Sequence, residues 1–394
     1  MNSSRKQLQV KGPITAFAVG QNNSICCAAT PGLINFYSNI GGFKGGTALP
    51  RTVLQYEQPY AITKLIFHQN EEIIYSLRNN QIQQWNYSNS LRPLSNYYQS
   101  PANTLLNDFI FSGNELNLIF ASYNNNSKVG IIAWDSRIGK KVVSNIPVSG
   151  STCTQLAANN NTSSLAVLVD SKKIHLFDIR KYQNSNYNTP PMSSIESTDN
   201  IVSYTFNALG DSVIYATYTG RIEAWELYNN LNLSNKLTDP SNESNFGINK
   251  SFSYESCFDY TPGSSCHFLE DTPFRPGALV CTSSVVIDST FTDRDGSNIN
   301  SSVSAKPLLT HTLQYLPFDN QPSEKGHNYD RLAIINLHTY DDSDRILDIT
   351  WGSLLRGRGS EVSSSNVPQI AFFSRTVTPY VWRILRRIAV LAMP

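Results

Sequence analysis

Short apolar runs alternate along this chain with polar turns rich in Asn, Ser, Asp and Gly. In the first such segment PITAFAV is followed by the turn QNNS, then ICCAAT, the turn PG, and LINFYS. The next repeats that order as AITKLIF, HQNE, EIIYSL, RNNQ and IQQWNY, and the third as LNDFIF, SGNEL, NLIFASY, NNNSK and VGIIAWD. TQLAA, SLAVLV and IHLFDIR form a fourth, and IVSYTF, SVIYAT and RIEAWEL a fifth. Short runs rich in β-branched and aromatic residues, bounded by Gly, Asn and Asp, predict β-strands rather than helices. The five segments fall at residues 12–39, 60–90, 105–142, 152–182 and 201–227, with three strands apiece.

Beyond residue 227 the pattern loosens. Residues 228–250 read as a long polar loop. Strands are expected at 251–260, 277–287, 309–316 and 331–338 within a degenerate stretch, 251–340, whose polar insertions cover 288–306 and 317–330. The pattern returns at 344–384 with RILDITW, an insertion, QIAFFS and PYVWRI. Residues 7–10 and 384–391 are candidates for completing one shared sheet. The second of these also fits a short amphipathic helix, with Ile384, Leu385, Ile388 and Leu391 on one face.

The closing run of each segment ends on an aromatic residue. Phe36, Trp85, Trp134, Phe177 and Trp225 follow one another at intervals of 49, 49, 43 and 48 residues. Two endings carry a fuller motif, aromatic-Asp-x-Arg, in GIIAWDSRIGKK (130–141) and KIHLFDIRKY (173–182), each followed by a basic turn. These endings resemble the closing strand of a WD-repeat β-propeller blade. The resemblance implies an all-β chain in which residues 1–394 form one propeller domain with four strands per blade. A β-sandwich would also show many short strands, but not one strand ending at a near-constant interval. Trp225 and Trp382 lie 157 residues apart, which leaves room for one hidden blade, giving seven, or two, giving eight. Family prevalence favours seven, and the spacing slightly favours eight. Only Trp134-Asp135 is a literal WD pair, and the Gly-His dipeptide of many such repeats occurs once, at 326–327.

Composition narrows the function. Hydrophobic residues make up 40% of the chain and charged residues 15%, with a net charge of +1, so there is no global pull toward nucleic acid or anionic membrane. Cys26, Cys27, Cys153, Cys257, Cys266 and Cys281 form no CxxC pair, and Cys266-His267 lacks a second ligand set. They are expected to be reduced thiols. The first twelve residues lack the apolar core of a secretory signal, and no run approaches the roughly 20 apolar residues that span a bilayer. An intracellular location, cytoplasmic or nuclear, is the expectation.

No GxSxG, P-loop or HExxH motif occurs, so no catalytic, cofactor-binding or metal-binding residue is expected. TYDDSDRILD, with Asp341, Asp342, Asp344 and Asp348, reads as a solvated turn, and TDRDGSN at 292–298 lacks the bidentate Glu of a calcium loop. The expected function is a non-enzymatic scaffold, a monomeric propeller that joins other protein subunits in a multiprotein complex. Tyr60, Tyr123 and Tyr218 are its candidate contact aromatics. Trp134, Asp135 and Arg137, and again Phe177, Asp178 and Arg180, resemble the box by which some WD-repeat proteins dock on the adaptor of cullin–RING ubiquitin ligases. That makes a substrate receptor the alternative. In the family, arginines at this place also join buried polar contacts between blades, a structural role that competes with docking. Arg356 and Arg358 head a basic C-terminal segment that also contains Arg375, Arg383, Arg386 and Arg387, suited to RNA or phospholipid headgroups. The paired-arginine FRRG motif of phosphoinositide-binding propellers is absent.

Overall fold

A computed structural model describes residues 4–9, 14–20, 25–38, 46–56, 61–68, 71–88, 92–101, 104–112, 117–125, 128–159, 163–179, 190–206, 212–219, 221–229, 246–254, 266–269, 277–287, 307–317, 332–339, 346–351, 369–374 and 380–383. These residues are all-β, and no α-helix occurs among them. Their strands sort into seven small sheets, the first six of them up-and-down meanders in chain order. The first holds Ala16–Val19, Ile25–Thr30, Leu33–Ser38 and Thr52–Gln55, and the second Lys64–Phe67, Ile73–Arg78, Gln81–Asn86 and Arg92–Gln99. The third holds Leu105–Phe111, Leu118–Asn125, Lys128–Asp135 and Val142–Val148, and the fourth Cys153–Asn159, Ser164–Val169, Lys173–Asp178 and Ser193–Glu196. The fifth comprises Ile201–Phe206, Ser212–Thr217, Ile222–Asn229 and Phe246–Tyr254. Cys266–Leu269, Gly277–Ile287, Pro307–Pro317 and Leu332–Thr339 make the sixth.

The seventh sheet joins the two ends of the chain. Ile346–Trp351, Gln369–Ser374 and Tyr380–Arg383 are followed by Ser4–Leu8, which pairs antiparallel with Tyr380–Arg383. On its other edge Ser4–Leu8 runs parallel to Gly46–Ala48, a fifth strand borrowed from the connection inside the first sheet. This pairing uses residues 4–7 and 380–383, whereas the expected candidates were residues 7–10 and 384–391. Residues 10 and 384–391 lie outside the described residues. Each of the first five sheets gains a fourth strand beyond the three expected. One of these, Phe246–Tyr254, begins inside the stretch expected to be a loop.

Tight turns between the second and third strands set the meanders. Gly32, Asn79, Asp170 and Ser171 have positive φ there (81°, 54°, 50° and 56°), the left-handed conformation that lets a chain reverse within two or three residues. These turns are tied to the connections between sheets. Tyr56 N donates to Gly32 O (2.9 Å), Leu106 N to Asn79 O (3.0 Å) and Ile201 N to Ser171 O (2.6 Å).

Both faces of the sheets are apolar, which explains why LIFASY and SLAVLV show no alternation with polar residues. In the third sheet Leu118, Phe120, Val129 and Ile131 pack with Leu165, Val167 and Phe177 of the fourth. The intervening Ile119, Ala121, Tyr123, Ile132 and Trp134 pack with Tyr75, Leu77 and Tyr98 of the second. The period-two alternation of a strand is thus intact, but both sides meet a neighbouring sheet. The first strand of every sheet touches the first strand of the next, and the seventh sheet's first strand, Ile346–Trp351, touches that of the first, Ala16–Val19. One carboxylate ties three of these strands. Asp108 pairs with the ammonium of Lys64 in the second sheet and accepts from Leu156 N in the fourth (2.8 Å).

The closing aromatics pack on the preceding sheet, with one correction to the expected series. Trp85, Trp134, Phe177 and Trp225 each meet the sheet before their own. Phe36 instead packs on the following sheet, its ring 5.3 Å from that of Tyr87. Its neighbour Tyr37 takes the equivalent place, fully buried, and donates its hydroxyl to Gln9 O (2.6 Å), just past the strand Ser4–Leu8. The three described indoles differ in partner. Trp85 Nε1 donates to Ser76 Oγ (2.8 Å) and Trp225 Nε1 to Glu223 Oε2 (3.3 Å), while buried Trp134 Nε1 meets no acceptor among the described residues. Register gives the reason. Ser76 lies two residues beyond Ile74, the partner of Trp85, and the same step beyond Ile119, the partner of Trp134, reaches Ala121.

Ala121→Ser should therefore stabilise the protein by about 1 kcal/mol, and Ser76→Ala should destabilise it by about 1–3 kcal/mol by orphaning a buried donor. Urea unfolding midpoints measure both. A loss of stability in Ala121→Ser equal to that in Ser76→Ala would show that the indole has no need of an acceptor.

Candidate functional site

The third strand of the third sheet ends in the motif singled out in the sequence, and its four residues part company there. Trp134 is fully buried between the second and third sheets. Asp135 closes the strand and is nearly buried, whereas Arg137 stands in the following turn with 56% of its side chain exposed. The backbone N–H of Arg137 donates to Asp135 Oδ1 (2.9 Å), Nε donates to the same oxygen (3.0 Å), and an NH2 donates to Oδ2 (2.7 Å). A planar guanidinium is thereby held by both carboxylate oxygens. Hydrogen bonding from Arg137, above all from its side chain, holds the Asp135 carboxyl below the ordinary carboxylate range, against the opposing effect of burial.

This ion pair lies within one turn, so the expected buried contact between sheets is not what the Asp135 fork makes. The same turn is braced by Ile138 N and Gly139 N, both donating to Asp135 O (3.1 Å), and by Ser136 N donating to Asn117 O (2.7 Å). Gly139 has φ +98°, a conformation that side chains avoid. What projects from this frame is Ile138, 65% exposed, with Lys140 and Lys141 beside it and half-exposed Val143 at the start of the next strand. The ammonium of Lys140 lies 4.2 Å from the ring centroid of Tyr97, on the outermost strand of the second sheet. Ile138, Tyr97 and Val143 were not singled out in the sequence. The GKK following the motif was the visible sign.

In the second copy of the motif, Phe177 is buried against the third sheet and Asp178 is buried at the strand end. Arg180, Arg356 and Arg358 lie outside the described residues. Neither Trp134 nor Phe177 presents a surface to a partner, which corrects their reading as contact residues: a strand sandwiched between two sheets has no free face. Among the candidate tyrosines, Tyr218 is exposed. Tyr123 is buried, its hydroxyl donating to Asn145 Oδ1 (3.0 Å), and Tyr60 lies outside the described residues. A cleft of about 250 Å³ opens between the first and second sheets, where Arg78 lies 5.8 Å from the ring centroid of Tyr56 and Trp85 contributes to the wall. Among the described residues no group of three His, Cys, Asp or Glu is placed to hold a metal ion, and no helix is long and apolar enough to cross a membrane.

Neither the models of known protein families nor the individually characterised proteins provide a match to this chain.

Because Asp135 has a lowered pKa in the folded state, its contribution is present above the unfolded carboxylate pKa, near 4, and is lost as pH falls through the folded value. Asp135→Asn should lower stability by about 1 kcal/mol at pH 7, a modest figure because Arg137 is half in water. The gap between wild type and variant should shrink below about pH 4. Thermal melts at neutral and acid pH test this, and a gap that widens in acid would reverse the assignment.

Proposed function

We propose that the seven sheets are the blades of a closed WD-repeat-type β-propeller that serves as a non-enzymatic interaction scaffold, a subunit of an intracellular multiprotein complex. The observation that carries the reading is the circuit of first-strand contacts, which passes through every sheet and returns from Ile346–Trp351 to Ala16–Val19. The strand Ser4–Leu8, paired to Tyr380–Arg383, acts as the clasp of that ring. A ring whose sheets spend both faces on each other leaves its turns to meet other molecules, and turns on a rigid frame suit several partners at once. In the turn after Trp134, Arg137 is held by Asp135 and half exposed to water. Cys27 and Cys153, buried as free thiols, are compatible with a reducing compartment.

A second reading is supported by the same side chain. An exposed arginine held in one pose by its aspartate is the geometry a docking box needs, so a substrate receptor for a cullin–RING ligase, docking through Arg137, is the alternative.

Two experiments test these readings. Removing residues 1–9 should lower the melting midpoint by roughly 5–10 °C, because it strips the clasp from the seventh sheet; an unchanged midpoint would argue against closure. Affinity purification with mass spectrometry should return one stable set of partners with wild-type protein. If Arg137→Glu loses only a ligase adaptor while remaining folded, the receptor reading replaces the scaffold. Repeated recovery of no stoichiometric partner would count against both.

A further inference from the structure

We propose that residues 136–143, together with Tyr97, form a docking site for an acidic protein segment that carries an apolar side chain. The proposal rests on the scaffold reading and names the chemistry of the partner at that turn. Arg137, Lys140 and Lys141 bring three cations to one turn, and its one carboxylate, Asp135, is buried and bonded to Arg137. The local charge is therefore strongly positive on a chain whose net charge is only +1. Ile138 (65% exposed) stands between those cations in the chain, and a second exposed β-branched residue, Val143 (40%), follows them in the next strand. A single exposed apolar residue is ordinary. One on a rigid turn and a second just past it, beside a run of cations, have the make-up of an interface core with a charged rim.

The turn is also preorganised. Asp135 receives hydrogen bonds from the backbone N–H and guanidinium of Arg137 through its carboxylate, and from the N–H groups of Ile138 and Gly139 through its carbonyl. Lys140 is steadied over the Tyr97 ring, which spans the second and third sheets. Little backbone freedom remains to be lost on binding, and β-branched side chains lose little of their own. The combination selects against nucleic acid. Phosphates would engage the lysines but gain nothing from Ile138 and Val143, and the guanidinium fork faces Asp135. Carboxylates of a partner segment would meet Lys140 and Lys141 while an apolar side chain covers Ile138.

The test uses the full chain and fluorescence anisotropy with four labelled probes: a short peptide of alternating Glu and Leu, its Glu/Ser and Lys/Leu counterparts, and oligouridylate. The Glu/Leu peptide should bind best, with affinity falling as salt rises. Lys140→Glu/Lys141→Glu should weaken it about tenfold or more, and the milder Lys140→Gln/Lys141→Gln less. Ile138→Ser should weaken the Glu/Leu peptide about fivefold and leave the Glu/Ser peptide unchanged. All these side chains are exposed, so melting curves of the variants should match wild type. Equal binding of Glu/Ser and Glu/Leu peptides, equal or tighter binding of oligouridylate, or indifference to the lysine variants would overturn the proposal. If the peptide results fail while affinity purification still returns a stable partner set, the scaffold reading stands and the assignment of this turn falls. A Glu/Leu peptide that binds as expected with no recoverable partner set would do the reverse.

Discussion

Each of the first five sheets in this protein has two apolar faces, and neither can be left in water. That constraint accounts for most of the architecture. An open row of such sheets would expose one face at each end, with an apolar area whose hydration disfavours the fold at about 25 cal/mol per Å². Among the described residues the first strand of each sheet touches that of the next, and Ile346–Trp351 touches Ala16–Val19. Polar groups between the sheets are then obliged to find partners locally. Asp108 does so by serving three strands at once, from Lys64 to Leu156 N. Lys64 keeps a third of its side chain exposed, so the ion pair itself contributes modestly, and the greater part of this contact is the joining of three strands by one carboxylate.

The same constraint explains what could be read from the sequence. Strands such as Ser164–Val169 were legible because a fully apolar run bounded by Asn and Asp has few other readings. The outermost strands were not. Thr52–Gln55 alternates between half-buried and exposed positions, and Ser193–Glu196 is mostly polar, so neither differs in composition from a loop. The phase error at Phe36 has a related origin. Where both faces are buried, shifting a strand by one residue leaves its hydrophobicity unchanged, and only the contacts of Phe36 with Tyr87 and of Tyr37 with Gln9 show which way each points. The aromatic-Asp-x-Arg ending was legible as a motif, while the division of labour within it was not. A turn after the motif could be read, but not that Trp134 is fully buried while Arg137 stands exposed.

The indoles show how repeats of one design drift apart. Trp85 keeps a hydroxyl partner, Trp225 uses a carboxylate that also receives the hydroxyl of Tyr215, and Trp134 is accommodated by packing against Tyr98 at a 6.0 Å ring separation. A large buried aromatic contributes enough through its area that losing one hydrogen bond does not unseat it. Polar motifs within such repeats are therefore freer to change than the aromatic itself.

The pairing of Ser4–Leu8 with Tyr380–Arg383 has a consequence during synthesis. Gln7 and Tyr380 are 373 residues apart, so the first leaves the ribosome on the order of 20–75 s before its partner exists, at typical translation rates. Throughout that interval the early strand has an unsatisfied edge and the nascent sheets have an uncovered apolar face. Both are templates for pairing with another chain. The pairing between the two ends of the described chain is thus one whose first half is made long before its second.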